Sequence, residues 1–154
     1  MRKKLLGIAA ATTLLGLALG TRVASASGSD PAGKTIDLNV KFVNDNPLDL
    51  PPQGPSQGDQ LIFYDLLFNK SGMQVGYSAG SCTIANLDPV VAACAVTSQL
   101  PGGQIATQFL TTPGPAPKIV AVTGGTGSYR NVRGSARLVE HGDGTGTLTF
   151  HLVG

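Results

Sequence analysis

One carboxylic acid interrupts an apolar strand face and is the first candidate for chemistry. Asp65 lies within residues 59–69, where apolar side chains alternate with others. The apolar members of its face are Leu61, Phe63 and Leu67. If this face is interior, desolvation raises the pKa of the carboxyl, and a partly neutral acid can donate a proton to an epoxide, a quinone methide or an enol. The alternative is a structural carboxylate, hydrogen-bonded to a neighbouring strand or paired with Arg130 or Arg133.

A glycine-rich segment at 121–134 supplies the second group of candidates. Three of its glycines join two strand-like runs, and glycine accepts positive φ and close backbone approach. These are Gly124, Gly125 and Gly127. The segment is therefore predicted to be a shaped turn that presents Arg130 and Arg133 at a rim, near Asp65. A phosphate-binding loop is the alternative, but it requires Gly-Lys-Ser/Thr at the start of a helix, and Gly127 is followed by Ser-Tyr.

Few other side chains have spacing that indicates chemistry. Tyr64 and Tyr77 can supply ring surface or a phenol donor to a ligand. His141 and His151 have no Cys or carboxylate cluster at ligand spacing, so we expect no metal site. A Ser-His-Asp hydrolase is also unsupported, because no Gly-x-Ser-x-Gly turn precedes a helix.

The first 26 residues have the pattern of an export signal. Arg2, Lys3 and Lys4 precede an apolar run at 5–19, and Ala-Ser-Ala at 24–26 provides the small residues of a cleavage site. We expect a signal peptide at 1–26, a short linker at 27–34, a domain at 35–154 and a secreted protein. No membrane anchor is expected, because the run is shorter than the roughly 20 residues of a spanning helix.

Export also bears on the two cysteines and on the charge. In an oxidising compartment Cys82 and Cys94 are expected to form a disulfide, with a free reactive thiol at Cys82 as the alternative.

The whole chain has a formal net charge of +2, but four of its 11 basic residues precede residue 27. The remaining chain is then slightly acidic and has no Trp, so nucleic acid is not an expected partner.

A period of two recurs along the chain and predicts an all-β protein. The strands are expected near 35–43, 59–69, 73–86, 92–100, 103–111, 118–123, 129–140 and 147–152. Eight short strands with tight turns favour an antiparallel up-and-down β-barrel of the calycin-like type, with a β-sandwich as the alternative. Residues 44–58 are rich in Pro and Gly, and we expect them to form a long loop that covers one barrel mouth as a lid.

Two sequence blocks resemble the allene oxide cyclase and dirigent superfamily. Residues 75–82, Val-Gly-Tyr-Ser-Ala-Gly-Ser-Cys, are similar to a cyclase pattern, and Gly-Gly-Thr-Gly at 124–127 with Arg130, Arg133 and Gly134 is similar to a dirigent pattern. The resemblance extends from about residue 59 to residue 150 and implies a barrel that binds a small hydrophobic molecule. It further implies guided cyclisation or coupling without a cofactor, as in an isomerase.

The same resemblance suggests site residues. Asp37 and Asn39 occupy the positions of a first-strand Glu-x-Asn in the cyclases, Asp65 occupies that of a second-strand polar residue, and Cys82 matches a cysteine near the substrate. The opposite face of the first strand is more apolar, so a solvated surface charge is the alternative for Asp37. A non-catalytic exported binding module on the same barrel is the alternative function, and assembly into a homo-oligomer is left open.

Overall fold

The computed structural model describes residues 33–154. Within them the chain forms eight β-strands and one 3-10 helix. The strands are β1 (Lys34–Leu48), β2 (Gln60–Phe68), β3 (Gln74–Leu87), β4 (Val90–Leu100), β5 (Gly103–Thr111), β6 (Lys118–Gly125), β7 (Arg133–Glu140) and β8 (Thr145–Val153), and the 3-10 helix is Gly127–Tyr129. The proposed signal peptide lies outside the described residues, as does the proposed linker up to residue 32.

Each strand pairs antiparallel with the next, and β8 pairs with β1, so the sheet closes into a barrel. The predicted eight-stranded up-and-down barrel is confirmed, and closure excludes the sandwich. Closure also removes the unpaired strand edges that would template aggregation. Between residues 33 and 154 no helix is long and apolar enough to cross a membrane.

The alternating pattern sends one set of side chains into the barrel, where they pack tightly over one half of its length. Leu67, Ile105 and Phe150 are fully buried, and Tyr129 of the 3-10 helix is buried beside this core. Complete burial of a large apolar side chain contributes about 1.5–3 kcal/mol, so this half of the barrel carries most of the packing energy.

The first strand differs from its prediction. It continues to Leu48 rather than ending at residue 43, and its pairing with β2 shifts register between Phe42 and Asn44. The extra residue, Val43, forms a bulge, and a bulge changes which side chains face inward. The segment expected as one long loop is therefore partly strand, and the connection to β2 is 49–59.

The glycine-rich segment turns sharply, as predicted, but it covers one end of the barrel. Thr126 N–H donates to Gln104 O at 2.9 Å, and Ser128 N–H donates to Gly102 O at 2.8 Å. The Tyr129 hydroxyl donates to Pro101 O at 3.2 Å. This turn is thus fastened to the turn between β4 and β5, and β7 begins at residue 133 instead of 129 because the 3-10 helix precedes it.

Candidate functional site: a cavity at the barrel mouth

The two ends of the barrel differ. At the closed end lie the connections 69–73, 101–102 and 126–132, with the core residues beneath them. At the other end, which we call the mouth, lie the connections 49–59, 88–89, 112–117 and 141–144. The inward side chains leave a large open space at the mouth.

A cavity of about 800 Å³ opens at the mouth. This volume lies within the roughly 300–1,000 Å³ that is usual for small-molecule sites. Its walls are mainly apolar, from Phe42, Leu48, Leu61, Phe63, Ile84, Phe109, Leu138 and several prolines. Asp65 also lines it, and together with Phe42, Phe63, Phe109 and Leu138 separates it from a gap of about 60 Å³ in the core below. These five side chains form the cavity floor.

Two strand glycines make space for the aromatic side chains of the floor. A Cβ on Gly80 would lie 3.1 Å from the Phe63 ring, and a Cβ on Gly146 would lie 3.1 Å from the Phe42 ring. Glycine in a strand often marks such a close approach. The rings therefore lie against the barrel wall, and the volume above them stays open.

Asp65 is the buried ionisable group of this floor. The residue is 6% exposed, and its Oδ1 is buried without a hydrogen-bond partner. Burial, and after it the nearby charges of Asp45 and Glu140, together raise the pKa of the carboxyl to about 7. A carboxyl with such a pKa is present in both protonation states near neutral pH, so it can donate and accept a proton.

The neighbouring polar side chains in the interior bond elsewhere. The hydroxyls of Ser78 and Ser98 lie 2.9 Å apart and share a hydrogen bond, and the Thr107 hydroxyl donates to Val96 O at 3.2 Å. Buried polar groups are usually satisfied in this way. Asp65 is the exception, and an unpartnered carboxyl oxygen beside a cavity is available to a ligand.

Charged side chains surround the upper wall. Lys118 Nζ donates to Glu140 Oε2 at 2.8 Å. Asp49 and Asp59 fasten the 49–59 connection, since Asp49 accepts from Gly54 N–H at 3.1 Å and Asp59 accepts from Ser56 N–H at 2.7 Å. Asp45 follows the bulge and lines the cavity. Among residues 33–154, no group of His, Cys, Asp and Glu has the arrangement of a metal site.

The barrel matches one known protein family. The profile of the allene oxide cyclase barrel-like domain matches residues 36–147. The chain belongs to this family. A comparison with curated proteins gives no significant match.

Solved structures of similar shape are known as well. A pyocyanin demethylase is 33% identical, with a TM-score of 0.70 over 77% of this chain and 99% of its own. An exo-specific intermolecular Diels-Alderase is 15% identical, with a TM-score of 0.62 over 80% of this chain and 100% of its own. A pterocarpan synthase dirigent protein is 16% identical, with a TM-score of 0.60 over 79% of this chain and 83% of its own. The last two show the shared fold.

In this allene oxide cyclase-like barrel, the two arginines do not lie where the sequence suggested. Arg133 pairs with Val153 at the start of β7, and Arg130 lies beside Gly127 and Gly154, all at the closed end. The expectation that Asp65 lies near Arg130 or Arg133 is wrong, because the glycine turn closes the end of the barrel opposite the mouth. A structural ion pair between Asp65 and either arginine is excluded by the same placement.

Asp37 and Asn39 of β1 lie on the outer surface of the barrel. Leu38 and Val40 face inward, so Asp37 and Asn39 face solvent. Asp37 pairs with Lys70 at 2.8 Å and accepts from the Thr149 hydroxyl at 3.0 Å, and these partners hold its pKa below the ordinary value. The barrel wall separates Asp37 and Asn39 from the cavity.

The two tyrosines also lie on the outer wall. Tyr64 and Tyr77 alternate with the inward residues of β2 and β3, and their rings stack with centroids 5.6 Å apart. They are 38% and 42% exposed. Their predicted contact with a ligand in the cavity is wrong for this geometry, because strand parity turns them outward when Asp65 points inward.

The cysteines occupy one cross-strand pair. Cys82 of β3 and Cys94 of β4 are directly opposite and form the predicted disulfide, so Cys82 is not a free thiol. Both face inward, and Cys82 lines the cavity. Cys82 is thus the second of the predicted site residues, with Asp65, that the structure brings to the mouth cavity.

Several residues of the cavity were missed by the sequence analysis. For Lys118 and Glu140 a signal existed, because each shares strand parity with buried neighbours, Val120 and Ala136 respectively. Asp45 gave no such signal, because its orientation depends on the bulge at Val43. A bulge depends on pairing with the neighbouring strand, which a single sequence does not display.

Proposed function

We propose that this protein is an exported barrel that binds a small, largely apolar molecule in the mouth cavity and assists its cyclisation or rearrangement by proton transfer at Asp65. The observation that carries the proposal is the buried, unpartnered carboxyl at the floor of an apolar cavity. Strongly perturbed acids in clefts are frequent at functional sites.

The chemistry assigned to Asp65 follows from its surroundings. In its protonated form it can donate a proton to an oxygen or nitrogen atom of a ligand that rests on the floor. The resulting carboxylate can then take a proton from carbon, so one residue serves both halves of an isomerisation. The apolar walls keep water from competing for the reactive intermediate.

Two further observations support the proposal. The match to the 33% identical structure covers 99% of that chain. Its name, pyocyanin demethylase, is that of an enzyme acting on a small molecule. The Cys82–Cys94 disulfide fits an oxidising compartment and therefore export.

Binding is tested with the neutral dye N-phenyl-1-naphthylamine, whose fluorescence rises in apolar surroundings. We expect saturable binding that weakens by about tenfold as the pH rises through about 7, because a charged carboxylate at the floor must then be desolvated by a neutral ligand. Asp65→Asn should bind with no such pH dependence. Asp88→Asn, at an exposed turn that does not line the cavity, is the matched control and should follow the wild type.

Each outcome assigns a role. The absence of saturable binding to the wild type would remove the ligand cavity from the proposal. Identical pH profiles for wild type and Asp65→Asn, with folding verified by circular dichroism, would remove Asp65 and favour the non-catalytic binding module. A second readout is the ring opening of 5-nitrobenzisoxazole, an apolar carbon acid: general base catalysis by Asp65 predicts a rate at least about tenfold above that of Asp65→Asn.

A further inference from the structure

The charged groups of the barrel are divided between its two ends. Of the eight Asp and Glu side chains in residues 33–154, seven lie at the mouth end: Asp45, Asp49, Asp59, Asp65, Asp88, Glu140 and Asp143. Of the seven basic groups in the same range, four lie at the closed end: Lys34, Lys70, Arg130 and Arg133. Lys41 and Arg137 lie on the outer wall, and Lys118 alone lines the mouth cavity. Such a division produces a negative potential at the mouth, and low-dielectric walls concentrate it.

Within the cavity formed by residues 33–154 the acidic charge is neutralised only at Glu140. Lys118 is engaged by Glu140. The hydrogen bonds that Asp49 and Asp59 accept come from neutral groups, which leave the negative charge in place. Among the described residues Asp45 has no ion pair within 4.0 Å. The walls thus combine apolar surface with an excess of carboxylates.

The floor supplies an independent indication of a ligand. Asp65 is buried, lines the cavity and keeps Oδ1 unpartnered. Phe42, Phe63 and Phe109 lie beside it. The face of an aromatic ring attracts a cation, and a desolvated site strengthens that attraction.

We infer that the molecule bound in the mouth cavity is an organic cation, an apolar frame that carries a positive charge on nitrogen or sulfur. This inference rests on the proposed ligand cavity. The apolar walls hold the frame, while Asp45, Asp65 and the aromatic side chains of the floor hold the charge. A metal ion does not fit, because the cavity lacks a cluster of ligands with suitable spacing in the described residues. A carboxylate-bearing ligand is repelled by the same groups.

The test compares three fluorescent probes of similar size. N-methylacridinium is the cation, N-phenyl-1-naphthylamine is neutral, and anilinonaphthalene sulfonate is the same neutral frame with an added anionic group. At low salt we expect the cation to bind at least about tenfold more tightly than the neutral probe, and the anion about tenfold more weakly than the neutral probe. Raising the salt from about 0.02 M to about 0.5 M should reduce both differences, because ions screen partly exposed charges.

Two variants locate the source of the preference. Asp45→Asn removes one cavity carboxylate, and Glu140→Gln leaves Lys118 without its partner, so each should lower the ratio of cation to neutral affinity by about threefold or more. Asp88→Asn removes a carboxylate from the same end but outside the cavity and should change the ratio by less than about twofold.

The outcomes separate the inference from the proposed function. Equal affinities for the cationic and neutral probes, with saturable binding of both, would overturn the cation preference and leave the cavity as a ligand site. Failure of every probe to bind would overturn the proposed ligand cavity, and the cation preference with it. If Asp88→Asn lowers the ratio of cation to neutral affinity as much as Asp45→Asn does, the assignment of the charge site to the cavity is overturned.

Discussion

At the scale of single residues, Asp65 is the group on which the proposed function rests. Its carboxyl lies on a floor of aromatic and aliphatic side chains, where neither a hydrogen bond to Oδ1 nor a basic partner offsets burial. The neighbouring hydroxyls of Ser78 and Ser98 form a hydrogen bond with each other rather than with this carboxyl. An unsatisfied buried acid costs stability, and such a cost is common where function requires the group.

The elevated pKa of Asp65 predicts a pH-dependent loss of stability. Its pKa is about 7 in the folded protein and 3.8 ordinarily, so between these values the unfolded chain releases a proton that the folded protein keeps. The free energy of unfolding therefore falls as the pH rises from about 4 to about 7 and is unaffected by this group outside that window. The full shift corresponds to about 4 kcal/mol, and access of water through the open mouth reduces the expected effect to about 2 kcal/mol.

Urea denaturation at several pH values checks this expectation. Asp65→Asn stays neutral, so its stability relative to wild type should increase by about 2 kcal/mol between pH values near 4.5 and 8. Ionisable groups that do not interact with Asp65 contribute equally to both proteins and cancel in the difference. A constant difference across the window would contradict the raised pKa.

At the scale of elements, two local irregularities shape the barrel. The bulge at Val43 turns Asp45 toward the cavity and lets β1 continue along the mouth. The glycine turn with its 3-10 helix fastens the closed end through Tyr129 and the backbone of the neighbouring turn. Only the second was visible in the sequence, because glycines mark it directly.

The glycine turn predicts a graded response to alanine. Gly127 has φ +58°, and a Cβ there would also collide with the backbone of Gly102. Gly125 has no positive φ, but its Cβ would lie 2.5 Å from Gln104 O and from Tyr129 O. We expect Gly127→Ala and Gly125→Ala each to lower the free energy of unfolding by more than about 2 kcal/mol.

A matched control separates crowding from backbone strain. Gly72 has φ +79° with open space around it, so Gly72→Ala should cost only the conformational penalty of about 1 kcal/mol. The measurement is thermal or urea denaturation of all three variants. If Gly125→Ala or Gly127→Ala melts like Gly72→Ala, the turn is less closely packed than the structure describes.

At the scale of the whole molecule, closure and charge act together. The continuous ring of strands protects the backbone and leaves an apolar interior that is filled at one end and open at the other. The open end is acidic and the filled end is basic. A ligand approaching the protein thus meets a field directed along the barrel axis.

Export predicts the covalent state of the mature protein. If the segment 1–26 is removed by signal peptidase, the chain should begin at Ser27. It should also contain the Cys82–Cys94 disulfide, which by loop entropy contributes about 3 kcal/mol. Intact mass spectrometry of secreted protein should give the mass of a chain that begins at Ser27 and contains one disulfide. This mass should increase by about 2 Da on reduction as two thiols form. Two titratable thiols in native, non-reduced protein would rule out the bridge, and an N-terminus before residue 27 would rule out the cleavage site.

Much of the fold followed from the sequence alone. The period of two and the turn residues predicted eight strands and favoured a barrel, because alternation and glycine conformation are local properties. Closure, which excludes the sandwich, is seen only in the pairing of β8 with β1. Strand parity placed Asp65 on the apolar face of its strand, and the structure shows that this face is interior. The pairing of Cys82 with Cys94 followed from the one available partner.

Which residues lie together at the mouth cavity was decided by the tertiary structure. Alternation divides a strand into two faces but does not state which end of the barrel is open, so Arg130 and Arg133 were placed beside Asp65 although they lie at the closed end. The bulge at Val43 reverses parity within one strand, and only pairing with β2 reveals it. The acidic mouth likewise arises from residues 45–143 brought together by closure, because the field of a site depends on distances in space rather than along the chain.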